Sequence, residues 1–138
     1  MKTLQEVYYE AESGINVLEN EQIILAKKDA YYCYLFARYI PGANLKAHEN
    51  IILASKEASY CYNFALNISG ANIKAHEDIV LESKDPFYFY LFAKNISGAN
   101  KQLLSQTVLE SLDEYWIKTF YEFIDFDKIE YNKYVIFI

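Results

Sequence analysis

The chain has 138 residues, 53% hydrophobic and 17% aromatic, with 14 Tyr and 9 Phe; this length supports one modest core, and this apolar content excludes a disordered chain. No apolar run approaches the ~18 residues of a membrane span, and the opening Met1-Lys2-Thr3-Leu4-Gln5-Glu6 lacks the apolar stretch of a secretory leader, so the chain reads as cytoplasmic. The formal charge of −6 is uneven, with one basic and five acidic residues over 1–22, eight and seven over 23–100, and four and seven over 101–138, which excludes the basic face of a direct, sequence-specific nucleic-acid binder.

In chain order, the first predicted element is a helical half repeat, 1–16, ending on Ser13-Gly14-Ile15-Asn16. Repeats of 28 residues follow over 17–44, 45–72, 73–100 and 101–128, and a second half repeat, 129–138, closes the chain. The register rests on Pro41-Gly42-Ala43-Asn44, Ser69-Gly70-Ala71-Asn72 and Ser97-Gly98-Ala99-Asn100. It also rests on Ile23-Ile24-Leu25, Ile51-Ile52-Leu53, Ile79-Val80-Leu81 and Thr107-Val108-Leu109. Self-similarity at this period is the signature of a repeat architecture, with atypical outer units as caps. The fold class is therefore all-α: an α-solenoid of stacked helix-turn-helix repeats with half-repeat caps at both ends, in one domain. Ten helices and no sheet are expected, although the β-branched and aromatic residues of 131–138 fit a strand as well as a helix.

Each repeat divides into two short helices. Helix A, as in 73–83, carries the aliphatic triplet. Helix B, as in 87–96, places Phe89, Phe92, Ala93 and Ile96 at i, i+3, i+4, i+7, a single helical stripe. Asp85-Pro86 supplies a cap acceptor and a proline suited to the first helical position. Gly98 suits a left-handed site after helix B, and Asn100 suits the cap of the next helix. No hairpin of this size buries its own stripe. The triplets, the phenylalanines at 36, 64, 92 and 120, and the isoleucines at 40, 68, 96 and 124 are the expected core between repeats.

Candidate sites are few. His48 and His76 are repeat copies, each followed by a glutamate, and suggest an acid–base or metal patch along helix A, with Lys46 and Lys74 beside them. Two histidines in separate repeats without a third ligand make a structural or surface role the stronger reading, and no metal site is expected. Cys33 and Cys61 are also copies, in a slot that later holds Phe89 and Ile117. They read as packing residues, reduced and unpaired, since repeats at helix-packing distance of ~8–10 Å exceed the ~7 Å reach of a disulfide. In the same compartment the sequons at Asn67 and Asn95 stay unmodified. The four glycines all lie at turns, so no phosphate-cradling loop, no cofactor site and no catalytic residue is assigned, and the chain reads as a non-enzyme. Tyr34, Tyr62 and Tyr90 lie about 100° around helix B from the core position. With Tyr31, Arg38, Phe87 and Lys94 they form an aromatic–basic stripe. It reads either as wedges between successive B helices or as an exposed, partner-binding ladder.

The block Lys84-Asp85-Pro86-Phe87-Tyr88-Phe89-Tyr90-Leu91-Phe92-Ala93-Lys94 resembles the tyrosine-rich tandem helical repeats of bacteriophage and bacterial hypothetical proteins, with their Pro-x-Tyr-x-Tyr-x-Phe/Tyr-Ala-Lys pattern. The likeness spans about residues 17–125, with Ala30 and Ala58 replacing the proline in the first two repeats. It implies a phage protein of the host cytosol that binds and inhibits a host defence complex, anti-CRISPR-like, and it carries over no catalytic residues. The expected partner is thus a host protein or ribonucleoprotein complex. The alternatives are a scaffolding repeat segment and an acidic nucleic-acid mimic filling a basic cleft.

Overall fold

The structure, a computed structural model, describes residues 1–123, and all of its regular elements are α-helices. In chain order they are α1 (Leu4–Glu12), α2 (Val17–Lys27), α3 (Ala30–Tyr39), α4 (Leu45–Ser55), α5 (Ala58–Asn67), α6 (Ile73–Ser83), α7 (Pro86–Asn95), α8 (Lys101–Ser111) and α9 (Glu114–Phe123). No strand occurs among the described residues. The tenth helix expected over 129–138, the helix-or-strand choice over 131–138 and the core position at 124 lie outside them.

The predicted stop and start signals act where the repeat puts them. Asn44, Asn72 and Asn100 cap α4, α6 and α8, their side-chain oxygens accepting from the amides of Ala47, Ala75 and Leu103 at 3.0–3.2 Å. Asp85 caps α7 by accepting from the Phe87 amide at 3.0 Å, with Pro86 at the first helical position. Gly98 follows α7 at φ +89°, the left-handed region that glycine enters without steric cost. The other end of each hairpin carries no such signal. Lys28, Lys56, Lys84 and Leu112 end α2, α4, α6 and α8 in left-handed backbone, at φ between 55° and 59°.

Short turns make successive helices antiparallel neighbours. Beyond those hairpin contacts, α1, α3, α5, α7 and α9 each pack on the next of their own set, and α2, α4 and α6 do likewise. The core runs between the two sets. Phe36, Phe64, Phe92 and Phe120 are its largest members, joined by Ile40, Ile68 and Ile96. Burying one such phenylalanine contributes on the order of 1.5–3 kcal/mol. The aliphatic triplets enter the core less completely than expected. Ile24, Ile52, Val80 and Val108, the middle members, are fully buried and Ile79 is buried beside Val80, whereas Ile23 is exposed and Leu25, Leu53 and Leu81 are only partly covered. Consecutive helical residues point about 100° apart, so the middle residue of a triplet faces the core squarely and its neighbours flank it.

Candidate functional site

The outward edge of α3, α7 and α9 carries large apolar groups in solvent. Tyr31 is 49% exposed, Phe87 45% and Tyr115 68%, all at the same repeat position; Ser59 takes that position on α5. Two aromatic clusters result, one at each end. At the first, Tyr31 meets Tyr32 edge-on at 5.0 Å, and Tyr8 of α1 lies 6.1 Å from Tyr32. At the second, the Trp116 ring stands 6.0 Å from Phe87, 6.1 Å from Tyr90 and 5.0 Å from Tyr115. Arg38 and Lys94 lie one turn along from Tyr34 and Tyr90. The Arg38 guanidinium is 5.0 Å from the Tyr39 ring, and the Lys94 ammonium 5.4 Å from the Tyr90 ring. Both are cation–π distances.

Of the two readings of the tyrosines at 34, 62 and 90, wedge and exposed ladder, the ladder does not hold at two of its three rungs. Tyr34 and Tyr62 are each only 8% exposed, and their hydroxyls are taken. The Tyr34 hydroxyl accepts from Asn67 Nδ2 on the next B helix at 2.8 Å and from Arg38 Nη1 at 2.8 Å. The Tyr62 hydroxyl accepts from Asn95 Nδ2 at 2.9 Å. Both are wedges. The physical reason is that a B helix is covered by the A helices before and after it in the chain and by both flanking B helices, so the buried arc extends well past the phenylalanine stripe. Tyr90 is half-buried, and Lys94 donates to its hydroxyl at 3.1 Å. Of the predicted partner-binding residues, Tyr31, Phe87, Arg38 and Lys94 are the exposed ones.

The histidines do not lie on an outer ridge either. His48 and His76 are fully buried, each ring stacked on the phenylalanine of the preceding repeat, His48 on Phe36 at 5.2 Å and His76 on Phe64 at 5.3 Å. Each Nε2 stands 2.9 Å from a carboxylate of the preceding A helix, His48 from Glu21 and His76 from Glu49. The same carboxylate oxygens accept from the backbone amides of Asn44 and Asn72 at 2.8 and 2.7 Å. Each glutamate therefore sits at the start of the next A helix, where a negative charge is favoured, and ties two repeats together. A third copy is incomplete: Glu77 accepts from the Asn100 amide at 2.7 Å, but buried Leu104 replaces the histidine. At the N-terminal end Asn20 takes the ring's place and donates to Glu10 at 3.2 Å. Lys2 also binds Glu10, holding its carboxyl down at about 2.

Burial lowers both histidine pKa values, outweighing the pull of the carboxylates. Geometry agrees, since neither Nδ1 has a partner among the described residues and a second proton would have nowhere to donate. The neutral rings donate through Nε2. Among the described residues no group of three or more His, Cys, Asp or Glu side chains could hold a metal ion. Cys33 and Cys61 are free and buried, and burial pushes both thiols up to about 12, far from a reactive thiolate. No described helix is long and apolar enough to cross a membrane.

Three features were not anticipated from the sequence: the bonds that Glu21, Glu49 and Glu77 make to the next repeat, the aromatic cluster around Trp116, and the cleft between α1 and α3. The glutamates had a signal, since they recur in register with the asparagine caps. No protein family, curated protein or solved structure matches the chain.

Proposed function

We propose that the helices form a continuous solenoid whose B-helix edge binds a protein partner without catalysis. The observation that carries this reading is the exposed aromatic edge. Tyr31, Phe87 and Tyr115 stand in solvent at equivalent repeat positions, while among the described residues nearly every buried side-chain polar group has an internal partner. Tyrosine, tryptophan and arginine are the side chains that anchor protein interfaces. The solenoid reading is supported by the recurrence of the Glu–His–Asn ties and the Tyr–Asn bonds at one repeat's spacing. The repeat resemblance points to a host defence complex as the partner, with the chain as its inhibitor.

The test is capture from host lysate by the immobilised chain, followed by affinity measurement on the recovered protein. Phe87→Ser with Tyr115→Ser is expected to weaken binding by at least about 2 kcal/mol while the melting temperature holds. Leu18→Ser, at a still more exposed apolar site on α2, is expected to leave affinity unchanged. Equal loss from both variants would overturn the assignment of the B edge.

A further inference from the structure

A cleft of roughly 190 Å³ opens between α1 and α3, and its walls are unusual for this chain. Five tyrosines face it, Tyr8 and Tyr9 from α1 and Tyr31, Tyr32 and Tyr39 from α3, together with the carboxylate of Glu12. Tyr8 is buried and forms the floor, its hydroxyl donating to Glu12 Oε2 at 3.1 Å. Tyr9, Tyr31 and Tyr39 are exposed and form the rim. No lysine or arginine lines the space.

We propose that this cleft receives the side-chain ammonium of a lysine on the protein partner. Ring faces carry negative potential and attract a cation within about 6 Å, more strongly when it is partly desolvated. The carboxylate at the end of the cleft adds a full charge of the right sign. The same chain already places cations on its own tyrosines, Arg38 at Tyr39 and Lys94 at Tyr90. In the α1–α3 cleft Arg38 already stands over one ring, Tyr39, whereas among the described residues no cation stands over Tyr8, Tyr9, Tyr31 or Tyr32, and Lys2 is held by Glu10. Size narrows the occupant. The space is below the ~300–1,000 Å³ of drug-sized ligands and suits the end of one side chain. The acidic surplus over 1–22 favours a basic partner surface there.

The identity of the source rests on the protein-binding reading, but the cleft is testable without any partner. The full chain is titrated with N-acetyl-lysine methylamide and with N-acetyl-norleucine methylamide, its uncharged counterpart of similar shape, following tyrosine ring-proton shifts by NMR. The lysine probe is expected to shift the Tyr9 and Tyr39 signals saturably, with a Kd on the order of millimolar and about ten-fold tighter than norleucine. Glu12→Gln and Tyr31→Ala, both at exposed positions, are each expected to weaken the lysine probe several-fold, and Tyr115→Ala at the far end to leave it unchanged. Equal response to both probes, no saturable response, or indifference to Glu12→Gln and Tyr31→Ala would overturn the proposal. An unresponsive cleft leaves the B-edge reading standing, and loss of the B-edge reading leaves the titration result intact.

Discussion

Glu49 accepts from two donors, the Asn72 amide and His76 Nε2, and both lose their acceptor if it is truncated. An unsatisfied buried donor costs about 1–3 kcal/mol. Glu49→Ala is therefore expected to destabilise by about 2–4 kcal/mol in urea denaturation. His76→Leu should cost about 1 kcal/mol or less, because the fold already accommodates a glutamate facing leucine at Glu77 and Leu104. The histidines also set a pH dependence. Their folded pKa values lie below the ordinary value near 6.5, so the unfolded chain binds protons that the folded chain refuses. Their contribution is fully present above that ordinary value and is lost as pH falls below it, through the folded values. Melts between pH 8 and pH 5 should show declining stability with acid. With two histidines in the chain, the double variant His48→Leu, His76→Leu should flatten that window.

At the level of the helix, the two turn types make opposite predictions. Lys84 holds a left-handed backbone at φ 58° with a side chain attached, which costs roughly 1–2 kcal/mol relative to an allowed conformation. Lys84→Gly is expected to raise stability by about 0.5–1 kcal/mol, less than the full strain because glycine loses more freedom on folding. Gly98→Val is expected to lower it by about 1–2 kcal/mol. That cost is backbone strain alone, since no atom lies within 4 Å of where its Cβ would stand. Denaturation of both variants checks the pair. The contrast explains what was legible. Gly98, Asn100 and Asp85-Pro86 announce their conformations because their chemistry favours one geometry. Lysine at 28, 56 and 84 announces nothing, as its left-handed backbone is imposed by the tight hairpin. The phenylalanine stripe was legible from 3.6-residue periodicity. The choice between wedge and ladder at Tyr34 and Tyr62 is left open by the sequence, because periodicity finds one buried face and cannot tell how many neighbours a helix will have. The inter-repeat role of Glu21 and Glu49 was hidden for a related reason: a charged residue reads as solvated until the amide and ring that receive it are brought from the next repeat.

Across the whole molecule, equivalent junctions should be interchangeable on the proposed stack. Deleting residues 45–72 joins Asn44 to Ile73, bringing His76 to the place of His48 opposite Glu21, and Asn95 to the place of Asn67 opposite Tyr34. The shortened chain is expected to remain helical and to unfold in one cooperative transition at lower denaturant, since stability in a stacked array is a sum over units and their interfaces. Circular dichroism and urea titration check this, and a molten or unfolded product would count against stacking. The junctions are not all equal, however. Those closed by His48 and His76 bind their glutamate twice, whereas the one at Leu104 binds Glu77 through a single amide. The far N-terminal end is tied by Lys2, Asn16 and Asn20 converging on Glu10. Opening should therefore be directional. Amide hydrogens of α8 and α9 are expected to exchange faster than those of α4 to α6, and faster than those of α2. A protease or unfoldase engaging the C-terminal side would meet the weaker joint first, and the chain would unravel toward its N-terminus unit by unit.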